Sequence, residues 1–476
     1  MNAVNFQTKR VVGFAVYGIA TFFLSGCATF TQDGGFNSVA ATTREQLGKD
    51  VTWARSEADE VAIAKRVAEL LDKPLSVDDA VQLALLNNRG LQAKFAELAI
   101  SESDLVQAGR LPNPRFTMLR ASQAGADGRE LKIEQAITFN LFALVTIPQT
   151  SAIERRRFEQ TQRIVSLDVL QLAAEARKAY YRAVAAAESV RYAQQVRQAA
   201  EASAELARRM TQLGNFNQLQ QAREQSFYAD AVLGLARSEQ AAVASRERLT
   251  RLLGLWGQQT QFTLPERLPD LPQLLNELPD VEQTAINQRL DVKAARLQSE
   301  ALAKNLGLTK STRLINVLEF GPARVLEGAA AASYKNGYEV SFELPLFDWG
   351  TAKVAKAEAL YMQSINIAAH TAINARSEVR EAYQIYRSSY DIARHYRDEI
   401  VPIKKRISEE NQLRYNGMFI GVFDLLADAR TQIITVNSYI EALRDFWIAQ
   451  ADLDMALTGK PNLAPPTSGF TAGMAE

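Results

Sequence analysis

Residues 165–193, VSLDVLQLAAEARKAYYRAVAAAESVRYA, set Val165, Val169, Leu172, Ala176, Ala179, Ala183, Ala186, Val190 and Ala193 at alternating steps of four and three. That is the heptad spacing, which gathers apolar side chains into one continuous seam along a helix. Alanine at most of these positions lets neighbouring helices approach closely, which suits helices laid side by side against several partners rather than a leucine-rich two-stranded zipper. The seam sits inside a longer stretch, Ser151 to Leu213, that holds no glycine or proline and is rich in Ala, Arg, Glu and Gln, all good helix formers. Its 63 residues would make a helix of roughly 95 Å at 1.5 Å per residue.

A second arm runs from Thr351 to Asn416, free of glycine and broken only by Pro402, and Val379, Tyr383, Tyr386, Tyr390 and Ala393 repeat the four-three step. Each arm ends in a turn, Leu213-Gly214-Asn215-Phe216 in the first and Arg414-Tyr415-Asn416-Gly417-Met418-Phe419 in the second. Gln218–Leu253 and Val422–Leu457 read as return limbs, so each half forms a helical hairpin whose glycine is expected to supply the positive φ at the tip.

Ahead of each arm the period changes to two. Leu131, Ile133, Ile137, Phe139 and Leu141 share one parity while Lys132, Glu134, Thr138 and Asn140 take the other; Tyr338, Val340, Phe342 and Leu344 alternate in the same way with Glu339, Ser341 and Glu343. That is strand spacing. With partner strands near Arg115–Ser122 and Ile315–Val325, and turns at Gly125–Gly128 and Ser333–Gly337, each half carries one strand hairpin. Four strands cannot close a barrel, for which about eight is the practical minimum, whereas three chains giving four strands each would close one of twelve.

Cys27 is the only cysteine, and it ends Leu24-Ser25-Gly26-Cys27 behind a 14-residue apolar run, Val11–Leu24, preceded by Lys9 and Arg10. The run suits a cleaved signal peptide and is short of the roughly 20 residues that span a bilayer. The pattern is a bacterial lipoprotein signal, with the Cys27 sulfur taking up lipid that anchors the mature chain. Ala28 stands where an aspartate would signal inner-membrane retention, which favours the outer membrane. Lys plus Arg and Asp plus Glu both number 54, so there is no basic stripe for nucleic acid. No later segment is long and apolar enough for a transmembrane helix, so insertion in a membrane requires a β-barrel. The chain holds no phosphate-binding loop, dinucleotide motif or cysteine free for metal. His370 and His395 lie 25 residues apart on one arm and read as helix-surface residues. Neither catalysis, cofactor nor metal is expected.

The chain repeats itself at about 200 residues: Ala84, Asn88, Leu91 and Ala93 answer Ala285, Gln288, Val292 and Ala294. From about Leu75 to Leu457 the sequence resembles the TolC-like outer-membrane efflux factors. The likeness is carried by Leu75-Ser76-Val77-Asp78-Asp79-Ala80 with Ala84 and Asn87-Asn88, by Ala108-Gly109-Arg110-Leu111-Pro112-Asn113-Pro114, by Pro345-Leu346-Phe347-Asp348-Trp349-Gly350, and by Arg414-Tyr415-Asn416-Gly417 with Leu425-Leu426. One departure stands out, since only Asn416 separates the tip aromatic from the glycine where the family has two residues.

The resemblance implies a mainly α fold with a β-barrel part. Two tandem repeats of strand hairpin plus long coiled-coil hairpin would assemble as a homotrimer with a 12-stranded outer-membrane barrel continuous with a periplasmic helical tunnel. The expected layout is a lipoprotein signal peptide at 1–26, a lipidated tether and equatorial segment at 27–74, and a first repeat at 75–257 with strands about 115–144 and a hairpin 151–253. A Pro-rich crossover follows at 258–280, then a second repeat at 281–458 with strands about 315–346 and a hairpin 351–457, and a tail at 459–476. The partners implied are a periplasmic adaptor, a proton-driven inner-membrane pump and outer-membrane lipid. Gly214, Phe216, Gly417 and Phe419 are the candidate adaptor contacts, because an exposed apolar residue at a hairpin tip otherwise lacks a reason. Arg414, Asp424 and Asp428 are the candidate periplasmic gate, since in a trimer each aspartate becomes a ring able to select by charge and to pair with arginine. Two other readings stay open on the residues alone: a lipid-anchored periplasmic adaptor or coiled-coil scaffold, and an outer channel for type I protein secretion.

Overall fold

A computed structural model describes residues 29–125, 128–314, 317–329 and 332–463. The signal peptide, Cys27 and most of the C-terminal tail lie outside the described residues, as do 126–127 of the first expected turn and 315–316 of the third expected strand. In chain order the elements are α1 (Phe36–Leu47), α2 (Glu57–Leu71), α3 (Val77–Asn87), α4 (Arg89–Ala108), β1 (Arg115–Gly125), β2 (Gly128–Asn140), α5 (Leu141–Gln212) and α6 (Gln218–Leu253). The second half holds α7 (Val281–Gln288), α8 (Leu290–Ser311), β3 (Leu318–Ala329), β4 (Lys335–Phe342), α9 (Thr351–His395), α10 (Val401–Asn416) and α11 (Val422–Thr458).

Compactness does not follow the sequence repeats. One unit draws on residues up to Asn37, Ala96–Arg163 and Lys293–His370; the other takes Ser38–Phe95, Ile164–Val292 and the residues from Thr371. Each repeat thus contributes to both bodies, because a strand hairpin finds its pairing partner only in the other repeat.

The first unit is built on an antiparallel sheet of order β1-β2-β3-β4. Arg115 pairs with Thr138 at the start of the first hairpin, Phe139 with Phe320 across the repeats, and Phe320 with Val340 in the second hairpin. Gly321 makes the central β2–β3 pairing possible. A Cβ there would lie 1.8 Å from the Ile137 carbonyl oxygen, a backbone atom that cannot swing aside. Gly321→Ala should therefore force β2 and β3 apart and lower the unfolding temperature markedly, while Gly337→Ala, with open space around its Cβ, should leave it nearly unchanged.

Two expected boundaries move. The strand reading of 141–144 is wrong, because α5 already starts at Leu141, where the Asn140 side chain accepts the Ala143 N–H at 2.9 Å and turns strand into helix. A short apolar run such as Leu141-Phe142-Ala143-Leu144 carries no period that separates the two. Likewise β4 stops at Phe342, short of the expected 346.

In the second unit Val165, Val169, Ala176, Ala179 and Ala183 are buried as the heptad requires, whereas Ala186, Val190 and Ala193 are only half-buried. Past Ala183 the helices border a cavity of about 760 Å³ lined by Arg182, Ala186, Arg237, Ile385, Asn437 and Asp445 among others. In the second seam Val379, Tyr386, Tyr390 and Ala393 are buried with Phe446 in the core. The arm there is not one α-helix: α9 gives way to a π turn at Tyr396–Ile400 before α10. Pro402 cannot donate to the preceding turn, and the wider turn absorbs the missing bond.

Repeat-related residues close the return helices. Asn87 Nδ2 donates to the Gly254 carbonyl at 2.8 Å and Asn88 Nδ2 to that of Leu252 at 2.9 Å. In the second repeat the buried Arg289 reaches the Ala456 carbonyl at 3.4 Å, its charge held by Asp291 and Glu378, each at 2.7 Å. The crossover is tied down by Trp447 Nε1 to the Pro269 carbonyl at 3.1 Å and by the Tyr390 hydroxyl to that of Gln273 at 2.9 Å. Lys178 Nζ pins the segment after α11, donating to Asp452 at 2.8 Å and to the Asn462 carbonyl at 3.2 Å. Burial raises the Asp452 carboxyl pKa, and the Lys178 charge opposes the rise.

Candidate functional site

The register sorts the sheet into two chemically distinct faces. Cross-strand partners share a face: Phe116 pairs with Ile137 and Pro322 with Tyr338 at one level of the sheet, Phe139, Phe320 and Val340 form the next row, and Leu318 with Phe342 a third. Phe116, Ile137, Phe139, Phe320, Tyr338, Val340 and Phe342 are all exposed, a contiguous apolar surface that no described residue covers. The opposite face holds Glu130, Glu134, Glu319, Glu327 and Glu339 with Arg115, Lys132 and Lys335. There Arg115 pairs with Glu319 at 3.7 Å and Lys132 with Glu134 at 2.8 Å. At the end of the sheet where the helices attach, Leu344, Leu346, Phe347 and Trp349 add further exposed apolar side chains. β1 and β4 each have one paired neighbour, which leaves a free edge on both sides. Among the described residues no helix is long and apolar enough to cross a membrane.

The N-terminal segment is strapped to this same unit. Thr31, four residues past Cys27, donates from its backbone N–H at 2.7 Å and its hydroxyl at 2.6 Å to the buried Glu102 carboxylate. Gly35, with φ +77, sits where a Cβ would meet the Phe158 ring at 2.3 Å.

In the second unit the two hairpin tips share one backbone motif. Asn215 N–H donates to the Met210 carbonyl at 2.9 Å, and Phe419 N–H to the Arg414 carbonyl at 2.9 Å, the six-to-one bond of a Schellman ending. The left-handed residue is Gly214, φ +74, in the first tip, but Met418, φ +62, in the second. The expectation that Gly417 supplies the positive φ is therefore corrected: its φ is −82, and the second tip places its glycine one residue early. Gly214→Ala should cost about 1 kcal/mol, because a Cβ is strained in the left-handed region. Gly417→Ala should cost less than about 0.5 kcal/mol, since only the exposed Phe419 ring need shift. Thermal unfolding of the two variants separates them.

Leu213, Met418 and Phe419 are strongly exposed at these tips, whereas Phe216 is half-buried against Phe423, ring centroids 4.0 Å apart. Phe216 thus joins the two hairpins instead of lying free. Beyond the tips, carboxylates stand seven residues past each cap residue, Glu224 after Asn217 and Asp428 after Gly421. Asp428 accepts from the Asn411 side chain and Asp424 from the Gly421 N–H at 3.1 Å, while Arg414 lies 3.7 Å from Glu410. Within the chain, then, Arg414 meets neither aspartate. Glu224 is buried and accepts from the Ser203 hydroxyl at 2.5 Å and from Arg430, whose guanidinium covers the Phe227 ring at 3.9 Å. Sequence reasoning missed this cluster; the shared offset of Glu224 and Asp428 from their caps was the signal available. His395 pairs with Glu399 at 3.3 Å.

No protein-family model matches the chain, and no curated protein is similar to it. Solved structures are similar. The chain aligns with CusC at a TM-score of 0.67 and 18% identity over 80% of this chain and 92% of that one. With the Neisseria gonorrhoeae MtrE outer membrane channel in its open state the TM-score is 0.65 at 18% identity, covering 80% and 89%. With the Vibrio cholerae outer membrane protein VceC it is 0.66 at 13% identity, covering 81% and 96%. The fold is that of the TolC-like outer-membrane channels: long helices with four antiparallel strands in hairpin pairs.

Proposed function

We propose that this protein is the outer-membrane channel of a tripartite efflux system, a passive trimeric exit duct fed by an inner-membrane pump through a periplasmic adaptor. The observation that carries the reading is the four-stranded sheet with an uncovered apolar face, a charged opposite face and two free edges. Such a sheet has no stable state in water as a single copy, and three copies joined edge to edge give twelve strands with lipid outside and water inside. The likeness to solved channels supports the same arrangement. A periplasmic adaptor or scaffold that never enters the bilayer would not need that apolar belt. Purified protein in planar bilayers tests the proposal, with discrete single-channel currents and a heat-resistant trimer expected; a monomer that carbonate strips from membranes overturns it.

Lipid on Cys27 fits the strap at Thr31 and Glu102, which holds the residues just past the cysteine against the strand-bearing unit. Leu213, Met418 and Phe419, together with Gly214 and Gly417, form the surface offered to the adaptor. Arg414, Asp424 and Asp428 take the gate role between protomers, where each is present three times. Asp424→Ala combined with Asp428→Ala should raise conductance or change ion selectivity, and unchanged single-channel currents would remove both from the gate. A pump of the proton-driven type is the partner favoured by the lipoprotein signal at Cys27.

A further inference from the structure

Every carboxylate described on the strands lies on the charged face. The apolar face carries none, yet among the side chains the structure describes it holds two arginines, Arg120 and Arg324. Arg324 shares a row with Met118, Gln135 and Asn336, immediately beyond the level of Phe116 and Tyr338 on the side away from the helices, and Arg120 lies one row further with Ile133 and Leu326. An arginine on a lipid-facing position costs about 2–4 kcal/mol at the bilayer midplane and close to nothing at the head-group level, so these two mark the outer rim of the apolar belt. Neither pairs with an acid among the described residues. Arg324 is held ready: its Nε donates to the Gln135 side-chain oxygen at 2.6 Å and its guanidinium faces the Tyr334 ring at 4.9 Å, which leaves the two terminal nitrogens to bind outward. One strand, β2, separates the arginines, so their Cα atoms lie about 12 Å apart from a strand spacing near 4.8 Å and a two-residue rise near 7 Å.

We propose that Arg120 and Arg324, with Gln135 and Tyr334, form a site on the outside of the barrel for a phosphorylated glycolipid of the outer leaflet. A disaccharide with a phosphate toward each end bridges that spacing, its acyl chains lying on the Phe116, Met118 and Ile137 rows beneath. Arginine is the side chain suited to such contacts, because its planar fork binds phosphate oxygens in pairs. The site rests on the barrel reading above, and its test separates the two.

The experiment uses delipidated trimers of the full chain in detergent, titrated with diphosphorylated lipid A and followed by native mass spectrometry. Arg120→Gln with Arg324→Gln should weaken retention about tenfold, the scale of lost charge-assisted contacts. Gln135→Leu, which keeps both cations and frees Arg324, should weaken it to a smaller degree. Trimer yield and single-channel conductance should be unchanged in all of them. Equal retention of lipid A by wild type and the double variant overturns the site, as does equal affinity for phosphatidylglycerol or full competition by inorganic phosphate at equimolar amounts. Absence of trimer or current in the wild type itself would instead sink the channel reading.

Discussion

Arg430→Ala should raise single-channel conductance and lower the temperature of unfolding together. The Arg430 guanidinium and the Ser203 hydroxyl satisfy the buried Glu224 carboxylate, and they come from three different helices: Ser203 from α5, Glu224 from α6 and Arg430 from α11. Deleting the cation leaves a buried charge with one neutral donor, which costs on the order of 3–5 kcal/mol. Local separation of the second hairpin from the first relieves it by admitting water. Phe216 against Phe423 is a second tie between the hairpins, so the double variant Arg430→Ala with Phe216→Ala should show the larger single-channel conductance. Glu224→Gln keeps the hydrogen bond to Ser203 and should be milder. A lowered unfolding temperature with unaltered currents would make the cluster a staple between hairpins and not part of a gate.

The second large effect concerns the sheet. Val340→Arg places a charge in the middle of the exposed apolar face, at about 2–4 kcal/mol per copy in lipid, three times over in a trimer. Ser341→Arg, one residue along the same strand, points to the charged face and should be tolerated. The expected result is loss of the carbonate-resistant, heat-stable oligomer for the first and its retention for the second. Equal behaviour of the pair would break the assignment of faces on which the channel reading depends.

Both experiments address residues that differed in how far they could be read in advance. The alternation around Val340 was legible because a strand exposes its period in consecutive letters, and the parity that names Tyr338, Val340 and Phe342 is local information. Glu224 and Arg430 were not, since 206 positions separate them and nothing local says that a glutamate on one hairpin will be buried against the other. Phe216 shows the same limit from the opposite side. An aromatic beside a turn reads as exposed, and only its distant partner Phe423 takes it out of solvent.

What the amino-acid sequence determined by itself was the inventory: two heptad arms, two tips, two period-two segments with a partner strand ahead of each, and the single cysteine with its small-residue approach. These follow from steric propensity and side-chain periodicity, which act over a few residues. The tertiary structure alone decided which turn residue is left-handed at the second tip, where strand becomes helix at Asn140, that β2 joins β3 through the space left by Gly321, and that the sheet's glutamates gather on one face while Arg120 and Arg324 fall on the other. Each of those depends on atoms brought together from far apart in the chain, or on a one-residue shift of register that composition does not record.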